Sequence, residues 1–340
     1  LVGSEMCIRD RAVTDAAAAS MSHVAWDGFA HHDTIFPLFL FIAGVSFPYS
    51  VAKQRAGGMS EGRIYAKIVR RGLTLVVLGM VYNGLFKLDF ENLRIASVLG
   101  RIGLAWSIAA VLYLNFGVKT RAAIAVAVLA GYGALSALVA APDAAGAGPL
   151  TFEGNLAGYI DRQFLPGKLI YGSFDPEGLL STVPAVVTAM LGMFTGEFVR
   201  RGDIRGGRKT LWMAAAAAAL LAAGLAFSGV LPVNKKLWSS TFVCVVGAYS
   251  LGMFALFYYL IDVRGWRRWT LFFRVVGLNS ITIYLAQRIV GFGRISDFFL
   301  GGIASKCPEA VAAVISSAGY VAVCWLFLYF LYRKNVFLKV

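Results

Sequence analysis

Three histidines, His23, His31 and His32, stand within one short stretch, and two carboxylates, Asp27 and Asp33, stand among them. An imidazole is the side chain best suited to moving a proton near neutral pH. A nearby carboxylate orients it, raises its basicity and stabilises its charged form. Where water meets a bilayer, such a pair would deprotonate an amine or a hydroxyl. The same spacing also describes a solvated loop. His31 and His32 are adjacent and would point apart on a helix, so no metal is expected here.

Other residues invite chemistry further along. Arg94 and Arg101 frame the stretch RIASVLGR. Arg101 falls inside an apolar run, where an arginine marks a pathway or a buried partner, or else snorkels to the surface. Asp175 and Glu177 occupy an Asp-Pro-Glu-Gly turn before an apolar segment. They suit the positive end of a helix dipole, and they also read as a plain turn and cap. Asn279, Ser280 and Thr282, with Gln287 and Arg288, put polar groups on an apolar helix, where they line a cavity or bridge helices. The pairs Arg70–Arg71, Arg200–Arg201 and Arg267–Arg268 suit the phosphates of a nucleotide-like donor, or simply belong to basic loops.

These residues need a scaffold, and composition defines it. Of the 340 residues, 59% are hydrophobic and 15% charged, and mean hydropathy is +0.70. Soluble domains run at roughly 45–50% apolar and about 25% charged, so a soluble domain and a disordered chain are both excluded. A membrane helix takes roughly 20 mostly apolar residues. Nine segments fit or nearly fit: 35–52, 68–86, 95–114, 122–141, 179–199, 210–231, 238–261, 270–290 and 309–332. The fold class expected is an all-α polytopic transmembrane bundle.

Net charge is +14. The basic residues concentrate in alternate loops, from Lys53 to Arg71, at Lys119 and Arg121, from Arg200 to Lys209, from Arg264 to Arg268, and from Arg333 to Lys339. Loops of that kind face the cytoplasm. The bias explains the basic excess, so no nucleic-acid partner is needed. It puts residues 1–34 outside and the C-terminus in the cytoplasm. Residues 142–178 form the longest outer loop and mix aromatic, Gly, Pro and acidic residues. The four cysteines, Cys7, Cys244, Cys307 and Cys324, show neither a metal spacing nor a disulfide framework.

Residues 1–20 differ from the rest. They open with LVGSEMCIRDR, carry no start Met and show no basic-then-apolar leader. They read as a scar or a disordered segment, ahead of one transmembrane domain over 21–340. A further helix ahead of the histidines would reconcile an outer N-terminus with the charge pattern and give ten spans.

Six blocks in order resemble the heparan-alpha-glucosaminide N-acetyltransferase family and its bacterial members. They are HVAWDGFAHHDTIFPLFLFIAGVS from His23, RIASVLGRIGL from Arg94, GNLAGYIDRQFL from Gly154, FDPEGLLSTVPAVVTAMLGMFTGE from Phe174, LPVNKKLWSSTFV from Leu231 and LNSITIYLAQ from Leu278. The resemblance implies a multi-helix enzyme of the bacterial inner membrane that takes acetyl from cytosolic acetyl-CoA, as co-substrate, and delivers it to the amine of an amino sugar or glycan outside. It implies His23 as catalytic base or transient acetyl carrier, helped by Asp33. Trp26, Asp27, Asp175, Glu177 and Asn279 are then expected at the acceptor, and Arg94 and Arg101 at the donor. The partners expected are the lipid bilayer and the acceptor, with a homodimer left open. The chain departs from the family pattern at the absent first helix, at Gly100, where Gln is usual, and at Gln287, where the animal enzymes have His. A transporter or flippase for a sugar-containing solute, and a non-catalytic scaffold, are the competing functions.

Overall fold

The computed structural model describes residues 24–338. Among them it is all helical: α1 Ile35–Ala56, α2 Glu61–Tyr82, α3 Val98–Asn115, α4 Val118–Leu138, α5 Leu156–Phe164, α6 Leu179–Arg200, α7 Gly206–Ala226, α8 Ser240–Tyr258, α9 Thr270–Leu278, α10 Ser280–Ala286, α11 Phe292–Ala304 and α12 Glu309–Arg333. Contacts divide the chain into two compact units. One holds 24–29 and 33–264, and the other holds Ala30–His32 and the residues from Gly265 onward.

Among the described residues, seven helices are long and apolar enough to cross a membrane. The chain is therefore a multi-pass helical membrane protein. All nine expected segments contain helix, with two differences. The segment expected at 68–86 begins earlier, at Glu61, because its first turns carry basic residues on exposed positions that hydropathy alone does not count as span. The segment expected at 270–290 is broken at Asn279, whose φ of −126° and ψ of 27° are not helical. The long loop at 142–178 contains α5.

In the first unit α6 is the central helix and packs against α1, α3, α4, α5 and α8. α1 and α6 run parallel and in close contact. A Cβ on Gly192 would lie 2.0 Å from the Phe41 carbonyl oxygen, and one on Gly196 would lie 2.2 Å from that of Val45. Small residues permit this approach where lipid gives no hydrophobic drive for helix association. Phe36, Leu40, Phe47, Trp106, Met190, Trp238 and Phe242 fill the core around this pair. α2 pairs with α3, and α7 with α8, antiparallel. The N-termini of α1, α3 and α6 therefore meet at one end of the unit, with the acid-rich loops. The basic loops lie at the other.

In the second unit α12 packs against α9 and α11. Its core is built from Val275, Ile283, Phe292, Tyr320 and Leu328.

Candidate functional site

The polar end of the first unit is organised by a capping arrangement between α5 and α6. Asn155 caps its own helix, accepting from the Gly158 N–H at 2.6 Å. One turn later Asp161 points at the start of α6. Its Oδ1 accepts the Leu179 N–H at 2.9 Å and its Oδ2 accepts the Asp175 N–H at 3.4 Å. Gly178 at the N-cap position has no side chain to cap with, so the neighbouring helix supplies the carboxylate. Only glycine fits there, since a Cβ would lie 1.9 Å from Asp161 Oδ2. Burial pushes the Asp161 carboxyl up to about 6, against the opposing pull of the two N–H groups and of Arg101.

Arg94, Asp175 and Glu177 form one cluster. Arg94 donates from Nε to Asp175 Oδ2 and from Nη2 to Asp175 Oδ1, each at 2.7 Å, and it also pairs with Glu177. Asp175 is fully buried and accepts further N–H groups from Ile170 at 3.3 Å and Glu177 at 3.0 Å. Burial acts to lower the Arg94 pKa, but the two carboxylates outweigh it and hold the guanidinium above its ordinary value. Residues expected at the donor and at the acceptor thus meet one another.

Arg101 is placed differently. It is 2% exposed, within α3. It donates to the Ser181 hydroxyl, lies 3.4 Å from the Gly178 carbonyl, and stacks over the Trp238 ring at 5.0 Å. Its Nε and Nη1 are buried without a hydrogen-bond partner among the described residues. Buried donors are almost always paired, so two nitrogens without an acceptor mark a place where a ligand or water belongs. Trp238 takes a left-handed φ of 52° and its indole N–H reaches Thr188 Oγ1 at 3.2 Å. Neither Trp238 nor Asp161 was singled out from the sequence. Their signal was present only as membership of two of the six blocks.

His23 lies outside the described residues. The segment that follows it is fastened to the loop before α8. Gly28 N–H donates to the Val233 carbonyl at 2.8 Å, Asn234 donates to Asp27 at 3.1 Å, and Lys236 donates to the Ala25 carbonyl at 2.5 Å. Asp33 is buried and pairs with Lys235 at 3.2 Å. Trp26 donates to the Leu150 carbonyl at 2.9 Å and joins an aromatic wall with Phe152, Tyr171 and Phe174. Lys236 sits 4.6 Å from the Tyr171 ring centre, and burial lowers its pKa. The structure thus joins Asp27 and Asp33 to the loop before α8, and Trp26 to the 142–178 loop. Asn279 belongs to the second unit. Its Oδ1 accepts from Thr282 at 3.2 Å and its Nδ2 is buried without a partner among the described residues.

An all-helical bundle with seven helices long and apolar enough to cross a membrane defines a class: polytopic helical membrane proteins, here with charged side chains buried at one end of the first unit. The particular family follows from comparison. The family described as "Heparan-alpha-glucosaminide N-acetyltransferase, catalytic" matches residues 7–229, and the chain belongs to it. It is 27% identical to human heparan-alpha-glucosaminide N-acetyltransferase over 94% of this chain and 55% of that protein. It is 26% identical to the mouse protein of the same name over 94% of this chain and 56% of that one. The chain thus spans about half the length of these curated relatives.

Proposed function

We propose that the chain is a membrane-bound acetyltransferase. It moves acetyl from cytosolic acetyl-CoA to the amine of an amino sugar or glycan on the outer side of a bacterial inner membrane, with the C-terminus in the cytoplasm. The observation that carries this reading is the family match over residues 7–229, which contains the histidine block, both arginines and the Asp-Pro-Glu-Gly turn.

The chemistry balances with the residues assigned. The acceptor nitrogen attacks the thioester carbonyl, a C–N bond forms, the C–S bond breaks, and coenzyme A leaves as the thiolate. The nitrogen gives up one proton, and His23 is the residue assigned to take it and to pass it on to the thiolate, which makes the thiol. In the other route the His23 imidazole attacks first and carries the acetyl group before the amine does. Asp33 and Asp27 follow His23 on the segment that the loop before α8 holds, which supports Asp33 as the carboxylate tuning it. Trp26 in the aromatic wall offers a stacking surface for a sugar ring. Arg101 keeps two unassigned donors, so it suits the donor substrate better than Arg94, whose charge is balanced by Asp175 and Glu177. Those two carboxylates then shape the acceptor pocket while bound to Arg94.

The break at Asn279 favours a second reading, since a discontinuous helix with a buried polar group is also how transporters build a binding site. Transfer of labelled acetyl from acetyl-CoA to glucosamine in membranes, run beside His23→Ala, separates the two. Transfer lost in the variant is the expected result. Glucosamine uptake into vesicles without acetyl-CoA turnover would replace the enzyme reading by the transporter.

A further inference from the structure

The outward face of α2 carries a feature that catalysis does not use. Arg63, Lys67 and Arg70 follow one another at spacings of four and three residues, all exposed. Leu73 and Val77 continue the same stripe, 58% and 50% exposed. The helix packs on α3 through the opposite face, with Ile64, Ile68 and Leu75 buried and Gly72 and Gly79 in close contact. Along the open face lies a shallow, open groove formed by α2 alone, with Arg70 beside Val69, Leu73 and Val77.

Of the three cations, Arg70 is set furthest along this face. At about 1.5 Å per residue it lies about 13 Å along the helix from Glu61. Its neighbour Arg71 turns inward and rests on the Trp106 ring at 4.4 Å. Arg70 points to the open face instead, and neither it nor Lys67 or Arg63 makes an ion pair among the described residues. A guanidinium set beside exposed apolar side chains suits an anion that also carries an apolar part. A phospholipid of net negative charge supplies both halves of the match: a phosphodiester for the cations and an acyl chain for the groove.

We propose that the α2 groove binds an anionic phospholipid, with its phosphate between Lys67 and Arg70 and one acyl chain along Val69, Leu73 and Val77. The site is local, and other basic loops at the same end do not substitute for it.

The test is native mass spectrometry of the full chain released from micelles holding phosphatidylglycerol and phosphatidylcholine of matched chains in equal amounts. Phosphatidylglycerol is expected to survive at collision energies that strip phosphatidylcholine. Its retention should fall at least threefold in Lys67→Gln/Arg70→Gln. Val77→Trp, which fills the groove without touching charge, should lower retention of both lipids. Arg205→Gln/Arg208→Gln, which removes two cations from the start of α7, should leave binding unchanged. Equal retention of the two lipids would overturn the proposal. So would an equal loss in the α7 variant, which would mean diffuse attraction to the basic end. A dimer mass, with Leu73→Cys cross-linking to itself in membranes, would assign the face to a second copy and overturn it as well.

Discussion

Arg94 grips Asp175 at two points, Nε to Oδ2 and Nη2 to Oδ1, each at 2.7 Å, across 81 residues of sequence. The fork ties the strand-like approach to α3 to the turn that opens α6. With Asp175 fully buried, removing Arg94 leaves its charge uncompensated, which costs about 3–5 kcal/mol. Arg94→Met is expected to lose that much stability in detergent unfolding, and Asp175→Asn, which leaves Arg94 paired with Glu177, should lose less. Arg94→Lys should lose most of what Arg94→Met loses, because an ammonium cannot make the fork. Arg94→Met/Asp175→Leu should cost clearly less than the two single changes added together. Additive losses would mean that the pair does not act as a unit.

Arg101 predicts the opposite pattern. Its two orphaned nitrogens and its burial make it a poor contributor to stability. Arg101→Met keeps the stem against Trp238 and removes the charge. The melting temperature should stay level or rise, while acetyl transfer falls at least a hundredfold. A large drop in melting temperature would show that Arg101 holds the bundle together and would remove the reason for assigning it to a substrate.

Asp161 sets a pH dependence whose sign is fixed. Its carboxyl titrates at 3.8 when unperturbed and at about 6 in the folded chain, chiefly through burial. The folded state holds the proton more tightly, so stability falls as pH rises from 3.8 to about 6 and levels off above. The full span is at most about 3 kcal/mol. Asp161→Asn is neutral throughout, so its melting temperature should lose this slope. The check is a pair of melting curves taken at either end of the window. An identical slope in the variant would place the titration elsewhere.

Gly192 predicts a steric effect. A Cβ there meets the Phe41 carbonyl oxygen at 2.0 Å. Gly192→Ala must therefore push α1 from α6, costing at least the 1–3 kcal/mol typical of overpacking. Gly131→Ala in α4, where a Cβ meets nothing within 4 Å, is the matched control. It should leave stability unchanged or raise it by up to about 1 kcal/mol. The readout is monodispersity and melting temperature after extraction. Equal behaviour of the two variants would mean that the helix pair separates without cost.

The sequence by itself determined the bundle. Apolar length marks a span because the bilayer imposes it locally, and so the expected segments coincide with helices in the structure. The ordered blocks also pointed to the family, and four of the six lie within the family match over residues 7–229. The break at Asn279 was not legible, because polar residues on an apolar helix read alike whether the helix bends or continues. Nor was the α2 start, where the exposed Arg63 and Lys67 interrupt the apolar run.

Tertiary structure alone decided who pairs with whom. Arg94 and Asp175 each looked available for a ligand, and only the packing of α3 against α6 showed that they neutralise each other. Asp161 lies in the long outer loop expected from the sequence, and only the packing of α5 against α6 brings its carboxylate to the Leu179 N–H. Trp238 gained its place under Arg101 from a turn that no periodicity encodes. Local patterns follow from backbone period and solvent. Ion pairs between distant segments follow from which helix faces happen to meet, and that is decided by the whole core at once.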